Sequence, residues 1–208
     1  MVWVGLLAGV VGGVGTWRWL RPGGYRYAGE RTRLDLSRAW LVVPLTAAAG
    51  AGAGLAPLPL VAAAVVYMVV GAGVAWIDWD VHRVPDAVTR LWAPAVAVVV
   101  VVSAAVTGDW RMLLWSLVGA GVLGGVFLMM ALFTSMGLGD VKLAAITGLV
   151  VGPLGWNGLF TAVLGAYLVG AVVAVVLLAR GAPGRSHLAF GPWIVAGAAI
   201  ALATGSLA

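Results

Sequence analysis

Apolar runs close to 20 residues long, repeated along the whole chain, constrain this sequence more than any other feature. A helix needs roughly 20 apolar residues to cross a bilayer, and a soluble core formed by 208 residues cannot hide so many of them. The chain is 63% hydrophobic and only 9% charged, with a mean hydropathy of +1.10. Lipid offers no partner to open backbone groups, so such runs are helices. The reading is an all-α, polytopic transmembrane helical bundle of about eight membrane segments. They lie at Val2 to Leu20, Ala39 to Leu55, Leu58 to Ile77, Val88 to Thr107, Met112 to Phe133, Val141 to Gly152, Trp156 to Ala179 and Ala189 to Leu207. The second and sixth are short, and Gly50, Gly52 and Gly54 or Gly148, Gly152 and Pro153 loosen them, so each is expected to be tilted, broken or partly re-entrant. Residues 1–56 read as N-terminal membrane segments around a short basic loop, and residues 57–208 as the core.

Composition also excludes chemistry. With no cysteine there are no disulfides, no thiolate metal site and no cysteine nucleophile. The cations follow the first apolar run instead of preceding it, so Met1 to Leu20 is expected to be a retained span and not a cleaved signal. A formal charge of +5 invites a nucleic-acid partner, but the arginines sit in short interhelical loops, where membrane topology explains them. If the loop from Arg21 to Arg38 is cytoplasmic, then Arg18, Arg21, Arg26, Arg31, Arg33, Arg38, Arg83, Arg90, Lys142, Arg180 and Arg185 fall on that side and Arg111 alone falls outside. The same topology puts Asp78, ending the third segment, and Asp140, just after the fifth, on one cytoplasmic face. Trp17, Trp19, Trp40, Trp76, Trp79, Trp110 and Trp156 lie near segment ends as interfacial anchors. Gly121 and Gly125 form a small-xxx-small pattern for helix packing.

An acid beside hydrocarbon is costly, which makes it a functional-site hypothesis. Asp78 stands in Ile77-Asp78-Trp79-Asp80-Val81-His82-Arg83-Val84-Pro85-Asp86, and Asp140 in Gly137-Leu138-Gly139-Asp140-Val141-Lys142. Two carboxyls close enough to interact share a proton and titrate as a unit. The ionised member can activate water and the neutral one can protonate a leaving amine, which is what peptide hydrolysis requires. Gly137 and Gly139 would let a substrate strand approach the backbone closely. Asp80 either tunes the charge of Asp78 or holds the loop, and Asp86, after Pro85, serves a turn or helix cap. Asp109 reads as a surface pair with Arg111. Lys142 either stabilises the ionised dyad or anchors at the headgroups. His82 and His187 are lone histidines without a His-Glu-x-x-His arrangement, so no metal site is expected. The rival reading is a noncatalytic small transporter or assembly scaffold, whose buried acids relay protons or pair with cations.

Asp78-Trp79-Asp80, then Pro85-Asp86, then Gly137-Leu138-Gly139-Asp140-Val141-Lys142-Leu143, then Phe190-Gly191-Pro192 resemble, in that order, the type IV prepilin peptidases. These are membrane aspartic peptidases of the Gly-x-Gly-Asp type. Gly5-Leu6-Leu7-Ala8-Gly9 and Arg18-Trp19-Leu20-Arg21-Pro22 are loosely similar to the family's first span. The resemblance implies cleavage of class III leader peptides from type IV pilin-like, pseudopilin or Flp-type precursors, usually after a glycine. It places the catalytic pair at Asp78 and Asp140, in a multi-pass protein of the bacterial cytoplasmic (inner) membrane with its site facing the cytoplasm. The peptidase reaction implies no cofactor. Bifunctional members carry a longer N-terminal region, often with a four-cysteine zinc loop, and methylate the new N-terminus with S-adenosylmethionine. Here the corresponding Arg21 to Arg38 loop has no cysteine, so no zinc is expected, and S-adenosylmethionine enters only if methyl transfer is retained. Presenilin-like proteases share Gly-x-Gly-Asp, but the first acid here is not in a Tyr-Asp motif and Phe190-Gly191-Pro192 fits the prepilin family.

Overall fold

The computed structural model describes residues 1–27, 29–30, 32–134, 136–181 and 189–205. Arg31, Arg185, His187 and the last residues of the eighth segment lie outside the described residues. The helices are α1 (Val2–Leu20), α2 (Val42–Ala53), α3 (Val61–Val81), α4 (Asp86–Thr107), α5 (Trp110–Phe133), α6 (Leu138–Val151), α7 (Gly155–Ala179) and α8 (Gly191–Thr204). Each expected segment is a helix. A 3₁₀ turn at Leu36–Leu41 leads into α2, so the second segment changes helix type at its start and not at its glycines: α2 runs unbroken through Gly50 and Gly52 to Ala53, and α6 is likewise short but continuous.

Helix ends sort to two faces. Gly54, closing α2, packs on Met1 and Val2, so α2 ends where α1 begins. Pro59, Arg111, Pro153 and Thr204 line one cavity, which gathers the starts of α3 and α5 with the ends of α6 and α8. Val81, Asp86, Leu138 and Phe190 line a cleft at the other face, which gathers the end of α3 with the starts of α4, α6 and α8. Successive helices therefore alternate in direction, as a multi-pass membrane bundle requires. Among the described residues, four stretches are long and apolar enough to cross: 58–81, 86–107, 110–133 and 138–179. The last contains both α6 and α7, parted by a turn at Gly155 with φ of 69°. Glycines and Arg18 dilute α1, and α2 and α8 are short, so the expectation of eight crossings is met on this measure only in part.

Close backbone contact joins the helices in pairs. A Cβ at Gly5, Gly9 or Gly13 of α1 would run into α2 at Gly50, Thr46 or Val43. Gly119 meets Gly148 between α5 and α6, and Gly165 meets Gly197 between α7 and α8. In lipid, where apolar burial drives little association, such approach supplies the packing. Gly121 and Gly125 have nothing within 4 Å, which corrects the packing role expected of them. Two positions along an α-helix turn a residue about 200°, so Gly121 faces away from the partner that Gly119 meets.

The main core includes Tyr67, Trp92, Leu143, Val150, Ile194 and Leu202. A second cluster of Leu20, Tyr25, Ala39, Val42 and Ile77 lies beneath the segment joining α1 to α2. Trp19, Trp40, Trp110 and Trp156 expose their rings near helix ends, as interfacial anchors do. Trp76 does not, because its indole nitrogen is buried against the second cluster. Helices α6 and α8, of 14 residues each, span about 21 Å at 1.5 Å per residue. That falls short of a hydrocarbon core of roughly 30 Å, and a cleft lies at the start of both helices.

Candidate active site

Helix α3 continues past Ile77 to Val81, so Asp78 and Asp80 are helical residues and not the start of a loop. Polar side chains end the apolar run without ending the backbone ladder. His82 ends it, adopting the left-handed conformation at φ of 53° while its N–H donates to the Asp78 carbonyl at 2.9 Å. Likewise α6 starts at Leu138 with Gly137 as its N-cap, which puts Asp140 in the first turn of α6 instead of at the tail of α5.

Asp78 and Asp80 have different surroundings, as their separation of about 200° around α3 dictates. Asp78 is 4% exposed, and its Oδ2 accepts the backbone N–H of Gly191 at 2.9 Å. A Cβ at position 191 would lie 2.7 Å from that oxygen, so only glycine lets the start of α8 come so close. The Gly191 contact was missed in the sequence, where Phe190-Gly191-Pro192 marked a likeness but carried no role. Asp80 is fully buried and faces the segment between α1 and α2. It accepts the Tyr25 hydroxyl at 2.7 Å, Arg26 Nε at 2.8 Å, and the backbone N–H groups of Arg33 at 2.9 Å and Leu34 at 2.7 Å. Burial, reinforced by the bond to Asp80, pushes the Tyr25 hydroxyl up to about 12. Of the two duties foreseen for Asp80, the geometry gives it the loop. A buried charge satisfied on all sides in this way is tolerated where an unpaired one would not be.

The same segment is tied to the turn after α3. Arg83 donates through Nε to Glu30 Oε1 at 3.0 Å and through Nη2 to the Tyr25 carbonyl at 2.6 Å, with its guanidinium 4.1 Å from the Tyr27 ring centre. The Glu30 carboxyl is held below its ordinary range, first by the Tyr27 N–H and then by Arg83. Tyr27, Glu30 and Arg33 thereby form one wall of a cleft of about 1310 Å³. Asp78, Asp140, Gly137, Gly139, Lys142, Pro85 and Asp86 border the same cleft, together with His82 and Phe190. Asp80 does not line it.

Three residues make contacts that the expectations did not include. Lys142 Nζ donates to Asp86 Oδ1 at 2.6 Å, so it ties α6 to the start of α4 and bonds neither acid of the pair. It lies two helical positions from Asp140 and points elsewhere. A Cβ at Gly139 would sit 3.0 Å from Val84 Cβ, so this glycine packs α6 on the turn after α3 while its backbone borders the cleft. Gly137 meets no such neighbour and stays open to the cleft. Asp109 forms no surface pair with the Arg111 side chain: it N-caps α5, accepting the Arg111 backbone N–H at 3.1 Å. Both residues border the cavity of about 740 Å³ at the opposite end. Among the described residues, no three His, Cys, Asp or Glu side chains gather as metal ligands would.

The family model described as the type IV leader peptidase family matches residues 65–175, just over half of the chain and a stretch that holds both Asp78 and Asp140. No curated protein matches the chain significantly, and no solved structure does.

Proposed function

The chain belongs to the type IV leader peptidase family, and on that premise we propose that it is an aspartic endopeptidase whose Asp78 and Asp140 remove the leader from pilin-like precursors. One observation carries the reading: two acids from different helices, far apart in sequence, border one open cleft at the end of the bundle where α3 stops and α6 begins. The cations at that end, Arg26, Arg33, Arg83 and Lys142 among them, favour a cytoplasmic orientation in a bacterial inner membrane. A precursor with a short charged leader and an apolar helix would lie with the helix in lipid and its scissile bond in the cleft. The short helices α6 and α8 let water reach that depth.

The chemistry divides between the carboxyls. The ionised one takes a proton from water as the water oxygen bonds to the scissile carbonyl carbon, while the protonated one gives its proton to the carbonyl oxygen. In the collapse that follows, the C–N bond breaks and the amine nitrogen takes the proton just collected. The second carboxyl recovers its proton from a hydroxyl of the diol, so the pair returns to its starting state. The Gly191 N–H fixes Asp78 through Oδ2 and leaves Oδ1 for the reaction. Hydrolysis of this kind needs no cofactor.

The test is incubation of the purified protein with a precursor bearing a basic leader and a glycine before the scissile bond, read by mass spectrometry. Asp78→Asn and Asp140→Asn should each abolish cleavage while the protein stays folded in the membrane fraction, since an amide keeps the shape and loses the acid–base function. Asp109→Ala, at the opposite end, should cleave normally. Wild-type processing by either Asn variant would sink the reading.

A further inference from the structure

Deep between α3 and α6, Tyr67 is fully buried, and its hydroxyl lies 2.6 Å from the Thr147 hydroxyl. Thr147 commits its own hydrogen to the Leu143 carbonyl at 2.9 Å, so Tyr67 is the donor. The Tyr67 ring is stacked on Trp92 of α4, with centroids 5.1 Å apart, which leaves the phenol one direction in which to point. Tyr67 precedes Asp78 by three helical turns and so shares its face of α3, and Thr147 follows Asp140 by two turns and shares its face of α6. The bond thus joins the two stripes that carry the acids.

We propose that Tyr67 and Thr147 are positioning residues: their hydrogen bond sets the register of α3 against α6 and so the placement of Asp78 relative to Asp140. The inference rests on the peptidase reading for its kinetic consequence, but not for its structural one. A hydrogen bond in the membrane interior is a modest tie, suited to fixing register more than to holding the bundle together. The two truncations are unequal. Tyr67→Phe removes a donor and leaves Thr147 bonded to Leu143, whereas Thr147→Val strands the phenol of Tyr67 in an apolar core. Removing both partners leaves no buried group unsatisfied.

Tyr67→Phe should lower kcat for the same precursor by about tenfold, because misplacement of about 1 Å can cost up to about a hundredfold. KM should stay within about twofold, since the cleft wall is remote from the pair. Thr147→Val should be less heat-stable than Tyr67→Phe. The double variant should regain stability without regaining kcat, a split that a merely structural bond would not produce. The chain has no native cysteine, so nitroxides at Val81→Cys and Leu138→Cys report the relative placement of the two helix ends without any catalysis. Their distance distribution should broaden or shift in Tyr67→Phe. An unchanged distribution together with unchanged kcat overturns the proposal even if Asp78→Asn and Asp140→Asn are dead. Active Asn variants would instead refute the peptidase reading, and the nitroxide distances would still decide the register.

Discussion

Gly191→Ala should separate the stability of this protein from its activity. The added Cβ would stand 2.7 Å from Asp78 Oδ2 and 3.2 Å from Cγ, whereas a relaxed C···O contact is about 3.3 Å or longer. The shortfall is about 0.6 Å. The backbone at 191 is pinned, because Trp193 and Ile194 N–H groups both bond the Phe190 carbonyl at the first turn of α8. Asp78 is the partner that yields, since its carboxyl is the end of a side chain and can turn. Gly191 has no left-handed φ, so alanine meets no positive-φ strain; the gain of roughly 0.5–1 kcal/mol that alanine brings inside a helix is offset by Pro192, which disfavours the helical conformation for a preceding residue with a Cβ. Thermal stability in detergent should therefore stay near that of the wild type. The displaced carboxyl should cost about 10- to 100-fold in the rate of the chemical step, taking about 1 Å of misplacement as about a hundredfold. Single-turnover cleavage with enzyme in excess measures that step without product release. A folded Gly191→Ala variant that cleaves at the wild-type rate would show that Asp78 need not be held by α8.

Asp80→Ala should damage the segment between α1 and α2 while leaving the acids in place. It strands Tyr25, Arg26 and two backbone N–H groups, a loss on the order of 3 kcal/mol for a broken buried pair, and limited proteolysis should cut between residues 21 and 38 in the variant alone. The same segment should loosen in alkali. The Tyr25 hydroxyl is raised to about 12 from about 10 in an unfolded chain, so its contribution is whole below about pH 10 and is lost as the pH climbs to about 12. Tyrosinate absorbance should show this late titration in the wild type and lose it in Tyr25→Phe. Single cysteines replacing Gly29 and Arg83 should react with an impermeant thiol reagent from one side of the membrane and one replacing Gly108 from the other. Labelling of 83 and 108 from the same side would refute the orientation.

The helices were legible because apolar residues are nearly continuous within them, and lipid permits nothing else of such runs. Their ends were not. Hydropathy falls at Trp79 and Asp80, but the hydrogen-bond ladder of α3 runs on until His82 turns left-handed, which no composition window registers. Asp78 and Asp140 stood out because a charge amid hydrocarbon is conspicuous from either neighbour. What each acid touches was hidden. Gly191 lies 113 residues from Asp78 and Thr147 lies 80 from Tyr67, and in a chain with 31 glycines nothing local marks the one whose missing side chain matters. Lys142 misled for a simpler reason. Its nearness to Asp140 in sequence suggested contact, and helical rotation prevents it.

Asp78 and Asp80 together show how one helix end mounts both the acid and a wall of the cleft. The single residue between them turns their side chains apart, one to the start of α8 and one to the segment after α1. Arg83, in the turn that follows, binds Glu30 and the Tyr25 carbonyl. Tyr27, Glu30 and Arg33 thus line the cleft that Asp78 also borders, on supports that belong to the same end of the same helix. A shift of α3 would carry that wall with it and preserve its relation to Asp78, but it would change the relation of both to Asp140, which rides on α6. The geometry most exposed to disturbance is therefore the one between α3 and α6, and that junction is where the bundle places a buried polar bond.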